Sequence, residues 1–486
     1  MAALIERDLR TASSRQYDLL VVGGGIHGVT LALEATRRGL ATLLVERGDF
    51  GGETTWNSLR IVHGGLRYLQ SFDLKRYRES VAERGWFLRH FPDLVQPLPC
   101  LMPLYAPPRG GRLRRPAAFR AAFAVDALLD RDRMLPRGRL LGSAETAELF
   151  PAADRDGLRG GALWHDAAVP DSQRLVIEIL RWACHAGAQA LNYVEAVEPR
   201  VEDGRVRGVR AVDRDSGRSL EIQAKRVVSC AGPWVRRLVR RFDRDVPGLF
   251  QPLLAFNLLL DREPPSRGAV AVASREPDAQ TWFLVSWKGK LLAGTFYAQA
   301  TEEMLRDRVP GEPLVEEFLR ELNAALPGFE FRREQVTREL WGQLPAEAEG
   351  SRVPAGRPMI HDHGAQGGPR GLFSVSGVKL TTARAVAEET LRLLGAGPPA
   401  EIARPATDPP LALDELIELA GNDWTAARDH LRGIVERQSV VQLEDLLLRR
   451  TDWGIDPARG ESAARLCESL GWRGFRTRRA AGGSEG

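Results

Sequence analysis

The sequence predicts an α/β protein in three parts: a three-layer, Rossmann-like dinucleotide-binding domain, an antiparallel-sheet domain that covers the ligand, and a small C-terminal helical domain. Three observations carry this. A strand, a glycine-rich turn and a helix follow one another from Tyr17. Two later apolar runs, each ending in a turn of small residues, read as further strands of the same sheet, so the nucleotide domain is split along the chain. Between and after those runs, one stretch alternates strand-like segments and another, beyond a proline-rich linker, is helical.

Residues 17–22 (YDLLVV) are a short apolar run of strand type, followed at once by Gly23, Gly24, Gly25, Ile26, His27 and Gly28, and then by a helical pattern through Arg38. Gly23, Gly25 and Gly28 fit a GxGxxG fingerprint: one glycine for the tight turn, one for backbone approach to a pyrophosphate, one for close helix–strand packing. The helix N-terminus then faces the phosphates, where its dipole and free N–H groups favour negative charge. A second apolar strand, 41–45, ends in Glu46, about 20 residues past the glycines, where an acidic side chain accepts the ribose hydroxyls. A lone fingerprint is weak evidence, but this combination is specific.

After Glu46 the chain makes a small, polar excursion, 47–58, that includes Thr54, Thr55 and Ser58, before reaching 60–68 (RIVHGGLRY). A nicotinamide enzyme would continue straight into its third strand. A flavin enzyme uses such an excursion to wrap the pyrophosphate and isoalloxazine, so FAD is the expected cofactor. Residues 227–229 form a β run ending in a Gly-Pro turn that brings Ala231 and Gly232 beside the FAD. Residues 372–375 form another, ending at Gly377 ahead of a helix from about Thr381, whose N-terminus stabilises negative charge on a reduced flavin. The nucleotide domain is thus expected at 17–105, 140–250 and 346–400, the covering sheet at 251–345, and the helical domain at 411–473.

Five segments together resemble the FAD-dependent glycerol-3-phosphate dehydrogenase family, within the D-amino-acid-oxidase-like group of flavoproteins: GGGIHG, 63–69 (HGGLRYL), 230–235 (CAGPWV), 376–382 (SGVKLTT) and 444–451 (EDLLLRRT). The resemblance covers most of the chain. It implies oxidation of a CH–OH donor with hydride passing to flavin N5, and cofactor contacts from Gly377, Lys379, Leu380 and Thr381. Arg67 stands where the family places a substrate-side cation, and its fork suits phosphate or carboxylate. Lys379 is one of five lysines in a chain with 63 arginines, which suggests a compact ammonium near the flavin or an anionic substrate; an ordinary surface lysine is the alternative. His63 either transfers a proton or contacts the flavin.

The middle of the chain departs from the family pattern. Where the family has Gly-Val-Arg-Pro, with the Arg on the substrate phosphate, this sequence reads Gly342, Gln343, Leu344, Pro345. A candidate histidine base becomes Asn257, and a downstream Arg becomes His361. Phe256, Phe296, Tyr297 and Trp341 are expected to make the pocket more apolar. Arg357, or an arginine from 109–139, is available to replace the missing cation. Three readings follow: a glycerol-3-phosphate dehydrogenase-like enzyme, a same-fold oxidoreductase for another hydroxy acid, amine or pathway intermediate, and a non-catalytic flavin-binding protein.

Composition limits the partners. Net charge is +4, and the arginine excess does not imply nucleic-acid binding. Cys100, Cys184, Cys230 and Cys467 form no CxxC pair, so neither a metal site nor a disulfide framework is expected and a reducing cytoplasm fits. The first 16 residues lack the apolar core of a signal peptide, and no run reaches the ~18 apolar residues of a membrane span. Residues 109–139 hold nine Arg and three Asp; Phe119, Phe123, Leu128 and Leu129 there could share a helical face beside Arg112, Arg114, Arg115 and Arg120. That pattern suits either a helix on an anionic membrane, at the inner face of the cytoplasmic membrane, or a solvated helix. Electrons would leave to quinone or oxygen, and a surface-bound helix would favour quinone.

Overall fold

The computed structural model describes residues 4–70, 73–106, 115–129, 134–276, 279–301, 304, 310–408 and 412–471. Strand Leu19–Val22 lies inside a six-stranded sheet ordered Met359–Asp362, Leu372–Ser376, Val227–Ser229, Leu19–Val22, Thr42–Val45, Gln189–Leu191. Every neighbouring pair is parallel except the first. Such strands are buried on both faces, which is why they read as unbroken apolar runs. Leu19, Val21 and Leu44 turn to a core shared with helices Ile26–Thr36, Ser172–His185 and Ala383–Leu393. Leu20, Val22, Leu43 and Val45 turn the other way, onto a four-stranded sheet of Gln16–Tyr17, Ser219–Ala224, Arg205–Asp213 and Val194–Glu202. Helices, sheet and second sheet make the three layers.

The covering sheet runs Val336–Pro345, Pro252–Leu260, Lys290–Gln299, Trp282–Trp287, Ala269–Val272, Gln96–Tyr105, Leu158–Ala168, Ile61–Val62, with Arg139–Leu141 also paired to Leu158–Ala168. It therefore draws on more of the chain than 251–345: the strands at 96–105 and 158–168, assigned from sequence to the nucleotide domain, belong to it. Pro97, Pro99 and Pro103 give 96–105 the look of a turn-rich segment, yet all three sit in the ladder opposite Ala167, His165 and Gly161. Helix Glu312–Ala325 closes one face of this sheet through Val315, Phe318, Leu319 and Leu322, an i, i+3, i+4, i+7 stripe that packs on Phe256, Trp282 and Phe296.

Beyond residue 412, helices Leu413–Asn422, Trp424–Arg437 and Pro457–Ser469, with the short helical segment Leu443–Asp445 and Leu446–Arg450, enclose a core of their own around Leu416, Leu431, Leu446 and Trp453. Helix Pro116–Leu129 divides the apolar residues that could share one face. Phe119 and Phe123 point inward, Phe119 stacking on Trp164 at 6.3 Å, so the apolar face offered to lipid is mostly spent on the covering sheet, and Leu128 is left outside at 77% exposure. Arg109, Arg112 and Arg114 lie outside the described residues. Among the described residues, no helix is long and apolar enough to cross a membrane.

Candidate functional site

A cleft of about 310 Å³ opens between the ends of the parallel strands and the covering sheet, against about 30 Å³ for a second cavity beside Asp166. Its floor is the glycine turn. Gly23 has φ +114°, and a Cβ there would lie 2.5 Å from the Cys230 carbonyl oxygen; one on Gly28 would lie 1.8 Å from the Gly23 oxygen. The turn and the first helix can approach only because these positions carry no side chain. Gly25 has no side chain with which to cap that helix, and the helix N-terminus faces the cleft with its Ile26 amide held by Thr55 Oγ1. Glu46 accepts from the Gly24 and Gly48 amides at 2.7 and 2.8 Å, one bond to each carboxylate oxygen, which leaves lone pairs on both for diol hydroxyls. Burial pushes its pKa up, and the two amide bonds oppose the shift.

The polar excursion closes over the turn and is tied to both bodies. Thr55 Oγ1 accepts from the Ile26 amide at 3.2 Å, Thr54 Oγ1 donates to the Gln343 carbonyl at 3.1 Å, and Asn257 Nδ2 donates to the Asn57 carbonyl at 2.8 Å. Of the residues expected to hold cofactor, Gly23, Gly25, Glu46, Thr54, Thr55, Ser58, Ala231, Gly232, Gly377, Lys379 and Leu380 all line this one cleft. Gly28 lies beneath it and Thr381 is buried behind it, with the following helix beginning at Ala383. Ser58 Oγ and His27 Nδ1 are buried at the cleft with no hydrogen-bond partner in the protein, as expected of atoms that await a polar ligand. Burial pushes the His27 pKa down to about 4, so its imidazole is neutral.

At the other end of the cleft Lys379 donates to the Tyr68 hydroxyl, and its ammonium lies 4.6 Å from the Tyr68 ring centroid. Arg76 approaches the same ring at 5.7 Å. The pleat of the covering sheet decides what else faces the ligand. Ala255, Asn257, Thr295, Tyr297 and Leu344 line the cleft, whereas Phe256 and Phe296 alternate into the core under helix Glu312–Ala325, with Trp341 packed against it. The expected aromatic pocket thus reduces to Tyr297. Asn257 is engaged at both ends, its amide on Asn57 and its oxygen accepting from Thr295 Oγ1 at 2.8 Å.

His63 is not part of the cleft lining. Its Nδ1 pairs with Asp166 at 2.9 Å, and its ring lies 5.1 Å from that of Phe283. Burial would raise the Asp166 carboxyl, but His63, Arg84 and the Gly64 amide outweigh it and hold the pKa below its ordinary value. Arg67 belongs to helix Leu66–Gln70, and its side chain lies outside the described residues.

The glycine cradle, the doubly bonded Glu46 and the orphaned polar atoms fit the ADP half of FAD. Residues 18–393 match the FAD dependent oxidoreductase family. The chain belongs to that family. Among curated relatives, this oxidoreductase is 30% identical over 439 residues to a glycerol-3-phosphate dehydrogenase of Synechocystis, covering 86% of this chain and 78% of that one. It is 34% identical over 396 residues to glycerol-3-phosphate dehydrogenase 1 of Mycobacterium tuberculosis, covering 78% and 73%. It spans only about half the length of the mammalian mitochondrial relatives it also matches. Its fold is that of the glycerol-3-phosphate dehydrogenase of Bacillus halodurans complexed with FAD, with a TM-score of 0.69 at 23% identity over 96% of this chain and 92% of that one.

Some of the cleft had no clear signal in the sequence. Arg47 lies over the Trp234 ring at 4.0 Å, and both line the cleft. His27 sits at a variable position of the fingerprint, and its Nε2 would be 1.9 Å from a Cβ on Gly377, which explains why the later motif needs glycine there.

Proposed function

We propose that this FAD-dependent oxidoreductase oxidises the CH–OH carbon of a small anionic donor, with glycerol 3-phosphate the first candidate. The observation that carries the reading is Lys379: a compact cation in the wall of the FAD cleft, beside Tyr68 and Arg76. FAD held in the cleft would supply the redox chemistry, as hydride acceptor. The chain supplies the rest. Glu46 and the helix at Gly25 hold the ADP half, Ala231, Gly232 and Gly377 allow close approach, and the covering sheet excludes water. Lys379, with Arg67 and Arg76, orients the donor's anionic group. Asn257, engaged at both ends, holds the excursion rather than moving a proton, and His63 on Asp166, outside the cleft lining, is a candidate for proton transfer rather than flavin contact.

A second reading, another hydroxy acid or an amine as donor, is favoured by Leu344, which lines the cleft where the resemblance places a phosphate-binding arginine. Anaerobic stopped-flow absorbance separates the two. Rapid bleaching of the flavin band by glycerol 3-phosphate supports the first; an unchanged spectrum with bleaching by a carboxylate or amine donor supports the second. Electrons pass on to quinone or oxygen. Quinone would suit docking of helix Pro116–Leu129 on anionic lipid at the inner face of the cytoplasmic membrane, through exposed Leu128, Arg115 and Arg120. Liposome sedimentation that survives Arg115→Ser with Arg120→Ser would refute that docking.

A further inference from the structure

The EDLLLRRT segment, 444–451, lies in the C-terminal helical unit, yet its two arginines reach across the molecule to the FAD excursion. Arg450 grips Asp49 with both arms of its fork, Nη1 and Nη2 donating at 2.6 and 2.8 Å, and Arg449 Nε donates to the same carboxylate at 2.8 Å. Asn192 adds a fourth bond at 2.9 Å. The Asp49 and Arg450 side chains are both fully buried. On the far side, Asp445 accepts from Arg449 Nη2 at 2.9 Å and from the Tyr193 hydroxyl at 2.7 Å, so two arginines share two buried carboxylates, with Arg449 Nη1 reaching the half-exposed Glu444 at 3.2 Å. Burial alone would raise the Asp49 carboxyl; Arg450 and Arg449 outweigh it and keep it ionised.

The position of Asp49 gives this network a role. It lies three residues beyond Glu46, within the segment whose backbone builds the nucleotide site: the Gly48 amide donates to Glu46, the Gly48 carbonyl accepts from Tyr193, and the Gly51 amide donates to the Gly24 carbonyl at 3.0 Å. A Cβ on Gly52 would meet the Arg449 side chain at 3.9 Å. Nothing else from the C-terminal unit is needed at the cleft itself, none of whose lining residues lies beyond Leu380. We infer that the C-terminal helical unit is a cofactor lock: Arg449 and Arg450 act as positioning residues that hold Asp49, and through residues 46–52 fix the Glu46 carboxylate and the glycine turn in the geometry that binds the ADP half of FAD.

A fixed loop raises affinity because the order is already present before the ligand arrives. The test is FAD and ADP affinity of the deflavinated full-length chain, with thermal stability measured alongside. Arg450→Met is expected to weaken both ligands by at least tenfold, since both use Glu46 and the turn. Gln438→Met breaks a buried side-chain tie of the same unit to Arg174 and Asp408 while keeping the Gln438 carbonyl that accepts from Arg450 Nε at 3.0 Å. It should lower the melting temperature while leaving FAD affinity within twofold. Arg450→Lys, which keeps the charge but loses the fork, serves if Arg450→Met does not fold, and is expected to weaken FAD by a smaller but measurable factor. Loss of stability in the Arg450 variants with FAD and ADP affinity unchanged would overturn the inference, as would equal weakening by Gln438→Met.

Discussion

Gly28→Ala is the sharpest test of the cradle. The added Cβ would fall 1.8 Å from the Gly23 carbonyl oxygen, where real contacts stay beyond 3.0 Å, and the atom it meets is backbone. No rotamer relieves it, so helix Ile26–Thr36 must withdraw by about 1 Å from a close-packed core. Overpacking of this kind costs about 1–3 kcal/mol. The same withdrawal pulls the helix N-terminal amides away from the pyrophosphate, where each bond to a charged acceptor contributes about 1.5–3 kcal/mol. A loss of about 3 kcal/mol on binding is roughly a hundredfold in Kd. Flavin fluorescence titration of the deflavinated variant reads this directly. Gly421→Ala is the control, because its Cβ would meet nothing within 4 Å. A Gly28→Ala protein that bound FAD within threefold of the parent would refute the assignment of this turn.

Lys379→Met should slow donor-driven flavin reduction by about a hundredfold or more with FAD still bound, as expected for removal of a charged contact to the donor; an unchanged rate would remove Lys379 from the donor site. Leu344→Arg should lower the apparent Kd for glycerol 3-phosphate by about tenfold if phosphate reaches that wall, and a flat response would favour a donor without one. His27 has a pKa depressed to about 4 against 6.5 in an unfolded chain, so the stability it allows is complete above about pH 6.5 and is lost as pH falls toward 4. At pH 5 the loss should be about 1–2 kcal/mol for this half-buried ring. Urea unfolding of the deflavinated protein at pH 7 and 5 measures it, and His27→Asn should flatten that part of the slope.

What the sequence made legible was local. The strand, turn and helix at 17–36 announce themselves because apolar periodicity and glycine spacing lie within one window, and the 227–232 and 372–377 strand ends do so for the same reason. The covering sheet was harder. Prolines conceal the strand at 96–105, and the pleat that sends Phe256 and Phe296 inward but Asn257 and Tyr297 toward the ligand depends on a register that no single strand reveals. Contacts between distant residues left no trace in spacing at all: Asp166 lies 103 residues from the histidine it holds.

The Asp49–Arg450 bond spans 401 residues, which sets a timetable for biosynthesis. The glycine turn and Glu46 emerge from the ribosome well before the arginines that brace them. At about 5–20 residues per second, Asp49 waits roughly 20 to 80 seconds for its brace. Premature termination between Leu394 and Arg449 would therefore leave a chain that carries every residue lining the cleft and yet keeps FAD poorly.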